Sequence, residues 1–324
     1  MAVTALRRAF RSRRSVQALG LGLALVGVLV YFGVTVENFW TTSNLLDLLR
    51  QSAINTILSV GMTFVILTAG IDLSVGSALC LSAIVSAISL REGYGPVSAA
   101  VMSLFAGGLC GALNGSCIVR GRLSPFIVTL GTLWALRGVA RWLCNDETIL
   151  IKSEAFRSIS TAAPLGIPMP FVLALVTVVL AEFILNRTPF GRTIFAVGGG
   201  EDAAWLSGVN VRRVKVSVYI ISGLAAGLAA MVSAAKLGSG SPTVGVAYEL
   251  DAIAATVLGG TSLMGGEGSA VGTLVGAIFI QSLRKGMSMG WVADYKQNIA
   301  IGVAIVIGAL VDRRFRSTRE APGR

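Results

Sequence analysis

Residues 68–84 read TAGIDLSVGSALCLSAI, and they place Gly70, Asp72, Ser74 and Gly76 between two apolar runs. Glycine loosens a helix and supplies turns, and a carboxylate flanked by apolar runs is costly to bury. The stretch therefore predicts a break that joins two buried helices. The rest of the chain decides what kind of helices these are.

The composition is that of a membrane protein. Of 324 residues, 54% are hydrophobic and 13% are charged, whereas soluble domains carry about 25% charged residues. Apolar stretches long enough to cross a hydrocarbon core of about 30 Å recur along the chain. The predicted fold class is therefore all-α, a polytopic membrane protein.

Ten stretches are predicted to span the membrane. Their approximate ranges are 16–35, 48–69, 74–90, 97–119, 124–143, 169–186, 214–236, 247–264, 268–284 and 297–312. The predicted organisation is a basic N-terminus at 1–15, a membrane domain at 16–312 and a basic C-terminus at 313–324. The first run lacks a small-residue cleavage site, so it is interpreted as a retained helix and not as a signal peptide.

The basic residues predict the orientation of these spans. Cytoplasmic loops of membrane proteins are enriched in Lys and Arg. With both termini in the cytoplasm, most of the 27 Lys+Arg residues fall on that side. They are Arg7, Arg8, Arg11, Arg13, Arg14, Arg120, Arg122, Arg187, Arg192, Arg212, Arg213, Lys215, Arg313, Arg314, Arg316, Arg319 and Arg324. The net charge of +11 therefore indicates membrane topology, and no nucleic-acid partner is expected.

Several classes of chemistry are excluded. The chain has no histidine, and its four cysteines show no Cys-x-x-Cys spacing, so neither a metal site nor a catalytic residue is predicted. No GxxxxGK[ST] phosphate loop occurs, so the chain cannot bind ATP by that device.

Two glycine-rich breaks carry one acid each and no basic residue, at 70–76 with Asp72 and at 262–268 with Glu267. VILTAGIDLSVGSAL is weakly similar to TVLGGTSLMGGEGSAV. Matching interrupted segments in two halves of a transporter point to the transport path. Close helix packing explains the glycines equally well.

Asp72 has three candidate roles. It can cap the helix that starts after Ser74, pair with a basic residue to lock one conformation, or contact the transported solute. Four further polar residues within spans are candidates for lining a solute pathway, with helix–helix hydrogen bonding as the alternative. They are Asn55, Asn114, Thr129 and Gln281.

The loop at 187–215 is the longest polar segment between predicted spans. Within it, EDAAWL followed by a glycine predicts a short helix that ends at a C-terminal glycine. Its residues are Glu201, Asp202, Ala203, Ala204, Trp205 and Leu206, with Gly208 as the closing glycine. Such a helix suits docking into a groove on another protein, or simply joins two spans.

The Glu-Asp-Ala-Ala…Gly pattern looks like the EAA loop of ABC importer permeases, the coupling helix that engages the ATPase. Longer segments at 44–76, 124–140, 191–209 and 249–277 resemble the permeases of ribose, galactose and xylose type importers. The similarity covers roughly residues 38–312.

The resemblance implies a permease subunit of the bacterial inner membrane that translocates a monosaccharide by alternating access. It implies three protein partners: a second permease subunit, identical or different, a cytoplasmic ABC ATPase and an extracytoplasmic solute-binding protein. The chain itself would be no enzyme and would bind no cofactor, because ATP and Mg²⁺ belong to the ATPase. The alternatives are an ion-coupled secondary transporter, or an ABC permease for a nucleoside or a branched-chain amino acid.

Overall fold

The computed structural model describes residues 13–317, which form thirteen α-helices and a two-stranded antiparallel sheet. The helices are α1 (Arg13–Thr35), α2 (Thr42–Leu67), α3 (Val75–Arg91), α4 (Pro96–Gly121), α5 (Pro125–Leu143), α6 (Glu154–Thr161), α7 (Met169–Arg187), α8 (Pro189–Gly199), α9 (Glu201–Leu206), α10 (Val211–Leu237), α11 (Tyr248–Leu258), α12 (Ala270–Met289) and α13 (Asp294–Ser317). The strands are β1 (Ile149–Leu150) and β2 (Ser239–Gly240). The predicted basic termini extend into residues 1–12 and 318–324, which lie outside the described residues.

The predicted spans coincide with helices, except for the eighth. Predicted at 247–264, it is the 11-residue helix α11 followed by a non-helical segment at 259–269. At about 1.5 Å per residue, such a helix crosses about half of the hydrocarbon core. Among the described helices, α4, α7 and α10 combine the length and the apolar composition needed to cross a membrane.

The two ends of the bundle are marked by different segments of the chain. Helix α10 runs for 27 residues, about 40 Å, from the segment 188–210 to strand β2. We name these the loop end, where residues 188–210 lie, and the strand end, where β1 pairs with β2. Ile149 pairs with Gly240 across the sheet, so the segments that follow α5 and α10 lie at the same end.

Helix α2 is the centre of the bundle, because every residue from Ser52 to Leu67 is buried. A helix that is buried on every side is surrounded by other helices. Helices α10, α12, α7 and α11 pack around it. The break that follows Leu67 is therefore held deep within the fold.

The closest helix pair is α4 with α10, and glycine makes it possible. Gly107, Gly111 and Gly115 of α4 recur every fourth residue and face the backbone of α10 between Val216 and Gly227. A Cβ at any of the three α4 glycines would fall within 3 Å of α10 backbone atoms. Small residues at this spacing allow two membrane helices to approach closely.

Candidate functional site

The break after α2 is built around the buried carboxylate of Asp72, which is 2% exposed. One carboxylate oxygen accepts hydrogen bonds from the Ser74 N–H (3.0 Å) and the Ser74 hydroxyl (2.7 Å). The other oxygen accepts a hydrogen bond from the Ser222 hydroxyl of α10 at 3.0 Å. All three donors are neutral, and Ser74 is the residue that precedes α3, so the carboxylate stabilises the start of that helix.

Two of the predicted pathway residues belong to this cluster. The Asn114 amide of α4 donates to the Ser74 hydroxyl at 2.7 Å. Thr129 of α5 donates to the Pro125 carbonyl of its own helix at 2.8 Å and lies 3.4 Å from the Ile71 carbonyl. Tyr219 of α10 donates to the same Ile71 carbonyl at 3.0 Å. Helices α4, α5 and α10 therefore hold the non-helical segment 68–74 in place through hydrogen bonds.

The two glycine-rich breaks meet at the loop end. The Gly266 N–H donates to the Leu67 carbonyl at 3.0 Å, which joins the end of α2 to the segment 259–269. Gly198, near the end of α8, lies directly against both of these groups, and a Cβ at this position would overlap them. Residues from three distant parts of the chain thus form one junction, immediately before helix α9.

Helix α9 occupies the predicted residues and turns two large apolar side chains outward. Trp205 is 68% exposed and Leu206 is 77% exposed, whereas Ala204 is buried. Gly208 has a φ of +83°, and its N–H donates to the Trp205 carbonyl, which closes the helix. Of the two alanines, only Ala203 is on the outer surface together with Glu201 and Asp202. The helix therefore presents a small mixed apolar and acidic surface.

Glu182 is an acid in the interior of α7, and its role is structural. One carboxylate oxygen accepts hydrogen bonds from the N–H groups of Ala270 (3.0 Å) and Val271 (3.4 Å), the first residues of α12. The other accepts from the Asn186 amide at 2.6 Å. A carboxylate at a helix N-terminus satisfies free N–H groups and complements the helix dipole. Glu182 thus fixes the start of the helix that follows the second break.

The other two predicted pathway residues lie elsewhere. Asn55 and Gln281 line one cavity of about 420 Å³ towards the strand end. The sequence did not show that Asn55 and Gln281 lie in a different place from Asn114 and Thr129. Spacing along a helix does not reveal which neighbouring helix each face contacts.

Two ion pairs near this cavity were not predicted. Arg284 of α12 donates to Asp251 of α11 at 2.7 Å, and Lys285 of α12 pairs with Asp47 of α2. The sequence did carry a signal: Arg284 and Lys285 interrupt a helix whose earlier residues are apolar. Within residues 13–317, no group of His, Cys, Asp and Glu side chains is arranged to hold a metal ion.

Comparisons with known proteins identify the family. The family described as "Branched-chain amino acid transport system / permease component" matches residues 44–310. The ribose import permease protein of Bacillus subtilis is 41% identical over 300 residues, which cover 92% of this chain and 93% of that protein.

Two relatives from Escherichia coli carry other names. The D-allose transport system permease protein is 36% identical, covering 90% of this chain and 89% of its own. The xylose transport system permease protein is 34% identical, covering 89% and 90%. No solved structure matches the chain. Because the family match and these relatives extend over nearly the whole chain, the protein belongs to the permease-component family of the branched-chain amino acid and sugar transport systems.

Proposed function

We propose that this chain is the membrane permease subunit of an ATP-driven importer for a monosaccharide of the ribose, allose or xylose kind. The observation that carries the proposal is the similarity to sugar permeases over about nine-tenths of each chain. These relatives are transport subunits, so the chain is not an enzyme. ATP and Mg²⁺ bind to the partner ATPase, and this chain forms the pathway that the sugar takes through the membrane.

The proposed topology has ten crossings, with both termini in the cytoplasm of a bacterial-type cell and the chain in its inner membrane. Three contacts support it. The segments after α5 and α10 meet as β1 and β2, and both are external in this topology. The breaks after α2 and α11 contact each other and Gly198, and all three are cytoplasmic in it. The eighth crossing is then completed by the non-helical segment 259–269.

Helix α9 is the proposed contact with the ATPase. Its exposed Trp205 and Leu206 supply apolar area at the loop end, and Asp202 supplies charge beside it, while Glu201 is paired with Lys215 of α10. Exposed aromatic residues are frequent anchors of protein interfaces. The strand end is then the side that receives the solute-binding protein, and a second permease subunit, identical or different, packs beside this chain.

Ion-gradient coupling is the weaker alternative. Such transporters use acidic sites within their spans to bind the coupling ion. Here the interior acid Glu182 caps α12, and the Asp72 carboxylate accepts hydrogen bonds from neutral donors. Both carboxylates therefore already accept hydrogen bonds that stabilise the fold, which disfavours a role in binding a coupling ion.

The test is transport by the assembled complex. The permease, its ATPase and its binding protein are reconstituted into liposomes, and uptake of labelled D-ribose, D-allose, D-xylose and L-leucine is measured with and without ATP. We expect ATP-dependent uptake of at least one of the three sugars. Uptake driven by an ion gradient without the ATPase, or uptake of L-leucine alone, would overturn the proposal.

A further inference from the structure

A cavity of about 420 Å³ lies towards the strand end, bounded by α2, α10, α11, α12 and α13. This volume is within the range of small-molecule sites, about 300–1,000 Å³. Its polar lining residues include Asn55, Lys236, Tyr248, Asp251, Gln281 and Arg284. Five helices that are far apart in sequence thus bring amide, hydroxyl and charged groups to one place.

Asn55 is the residue that points most directly to a ligand. Its side chain is 5% exposed, and its amide nitrogen has no hydrogen-bond partner among the described residues. Only the amide oxygen is engaged, by the Ser59 hydroxyl at 3.3 Å. A buried donor left without an acceptor is unfavourable. This nitrogen is closed off from the cavity in the present rotamer, and a rotation of the Asn55 side chain would bring it to an oxygen atom of a ligand there.

The charges of the cavity point to a neutral ligand. Asp251 and Arg284 neutralise each other through a hydrogen bond of 2.7 Å. The other two charged lining residues, Lys236 and Asp294, are also of opposite sign. The cavity therefore has no net charge with which to favour an anion or a cation, while amides offer both donors and acceptors to hydroxyl groups.

We propose that this cavity is a binding site within the permease for a neutral polyhydroxylated ligand, with Asn55 and Gln281 as its hydrogen-bonding residues. The inference rests on the proposed function, because the strand end must face the sugar-loaded binding protein. A sugar released there would enter between α2 and α12 and exchange its hydrating water for these side chains.

The first experiment replaces the two hydrogen-bonding side chains with apolar side chains of similar size. Asn55→Leu and Gln281→Leu are compared with the unchanged complex in liposomes with labelled D-ribose; if the unchanged complex transports another of the three sugars instead, that sugar replaces D-ribose throughout. We expect the D-ribose taken up per ATP hydrolysed to fall about tenfold for each, as expected for one lost hydrogen bond. The matched control is Thr177→Val on α7, whose hydroxyl bonds to the Leu173 carbonyl of its own helix. The control is expected to transport like the unchanged complex.

The second experiment tests the cavity in another way, in case Asn55→Leu or Gln281→Leu fails to assemble. Gln281→Cys is made together with Cys117→Ser, because Cys117 is exposed while the other three cysteines are buried. Labelling by a membrane-impermeant thiol reagent is measured with the binding protein and D-ribose or L-leucine. Protection by D-ribose alone is expected.

The possible failures are distinct. The cavity site would be overturned if Asn55→Leu and Gln281→Leu both took up sugar like the unchanged complex. It would also be overturned if D-ribose did not slow the labelling of the cysteine in Gln281→Cys. Protection by L-leucine would overturn the ligand class. The proposed function itself fails if the unchanged complex transports none of the three sugars, or takes them up by an ion gradient without the ATPase.

Discussion

Asp72 illustrates how one carboxylate is accommodated among apolar helices. Its oxygens accept three hydrogen bonds, two from Ser74 and one from Ser222, so its cost of burial is offset by neutral donors on two elements. The same bonds join the start of α3 to the middle of α10. Within the described residues, none of its hydrogen bonds comes from a basic side chain, so the arrangement favours the cap over the ion-pair lock.

Replacing Asp72 tests whether its hydrogen bonds or its charge matter. Asp72→Asn keeps the shape and can accept from Ser74 while donating to the Ser222 hydroxyl. Asp72→Ala leaves three buried donors without their acceptor, at about 1–3 kcal/mol for each one that stays unpaired. We expect the alanine variant to lose at least about 2 kcal/mol of stability and the asparagine variant less, measured by thermal unfolding in detergent. Equal losses in the two variants would show that the negative charge is required.

At the level of single residues, the sequence showed which chemical groups are present but not which residues they contact in the fold. The break at Asp72 follows from glycines beside an acid, which is local information. Asn55 and Asn114 look alike in sequence, yet one lines a cavity and the other bonds to Ser74. The rotation of each helix decides this difference, and the rotation is set by packing against helices distant in sequence. The ion pair of Asp251 with Arg284 was missed for the same reason.

At the level of elements, the two breaks are alike in construction. Helix α2 ends at Leu67 and α11 ends at Leu258, the positions that the weak repeat aligns. The predicted span at 247–264 is helical only as far as Leu258, because an apolar run does not reveal backbone conformation. Gly260, Gly265 and Gly266 adopt positive φ values, between +74° and +89°, which are incompatible with a continuing helix.

The contact between α4 and α10 supplies a prediction for a helix pair. A Cβ at Gly111 would meet the Tyr219 carbonyl, which is backbone and cannot swing aside. We expect Gly111→Ala to separate the helices and to cost about 1–3 kcal/mol, as overpacking does. Gly131→Ala on α5 is the control, because nothing lies within 4 Å of the added Cβ. The temperature at which the purified permease unfolds should fall for Gly111→Ala only, and equal values would contradict this packing.

At the level of the whole molecule, the loop end and the polar interior are mechanically connected. Helix α9 follows Gly198–Gly199, and Gly198 lies against the Leu67 carbonyl. The segment after Leu67 leads to Asp72 and Ser74, whose hydrogen-bond partners lie on α10 and α4. We therefore expect that displacement of α9 by a partner would move both breaks together. The sequence predicted the breaks and α9 separately, and only their three-dimensional arrangement shows that they share a junction.

Two adjacent glycines test this connection in the assembled importer. Gly198→Ala places a methyl group against the Leu67 carbonyl and the Gly266 N–H, so the junction must open. Gly199→Ala changes the same helix by the same group, but its Cβ meets nothing within 4 Å. We expect Gly198→Ala to lower labelled D-ribose uptake per ATP hydrolysed at least several-fold, while Gly199→Ala matches the unchanged complex. Both quantities are measured on one liposome preparation, so a loss of assembly would lower hydrolysis as well as uptake. If the two variants transport alike, the contact of Gly198 with the breaks does not transmit the movement of α9, and the path of coupling must run through α10 instead.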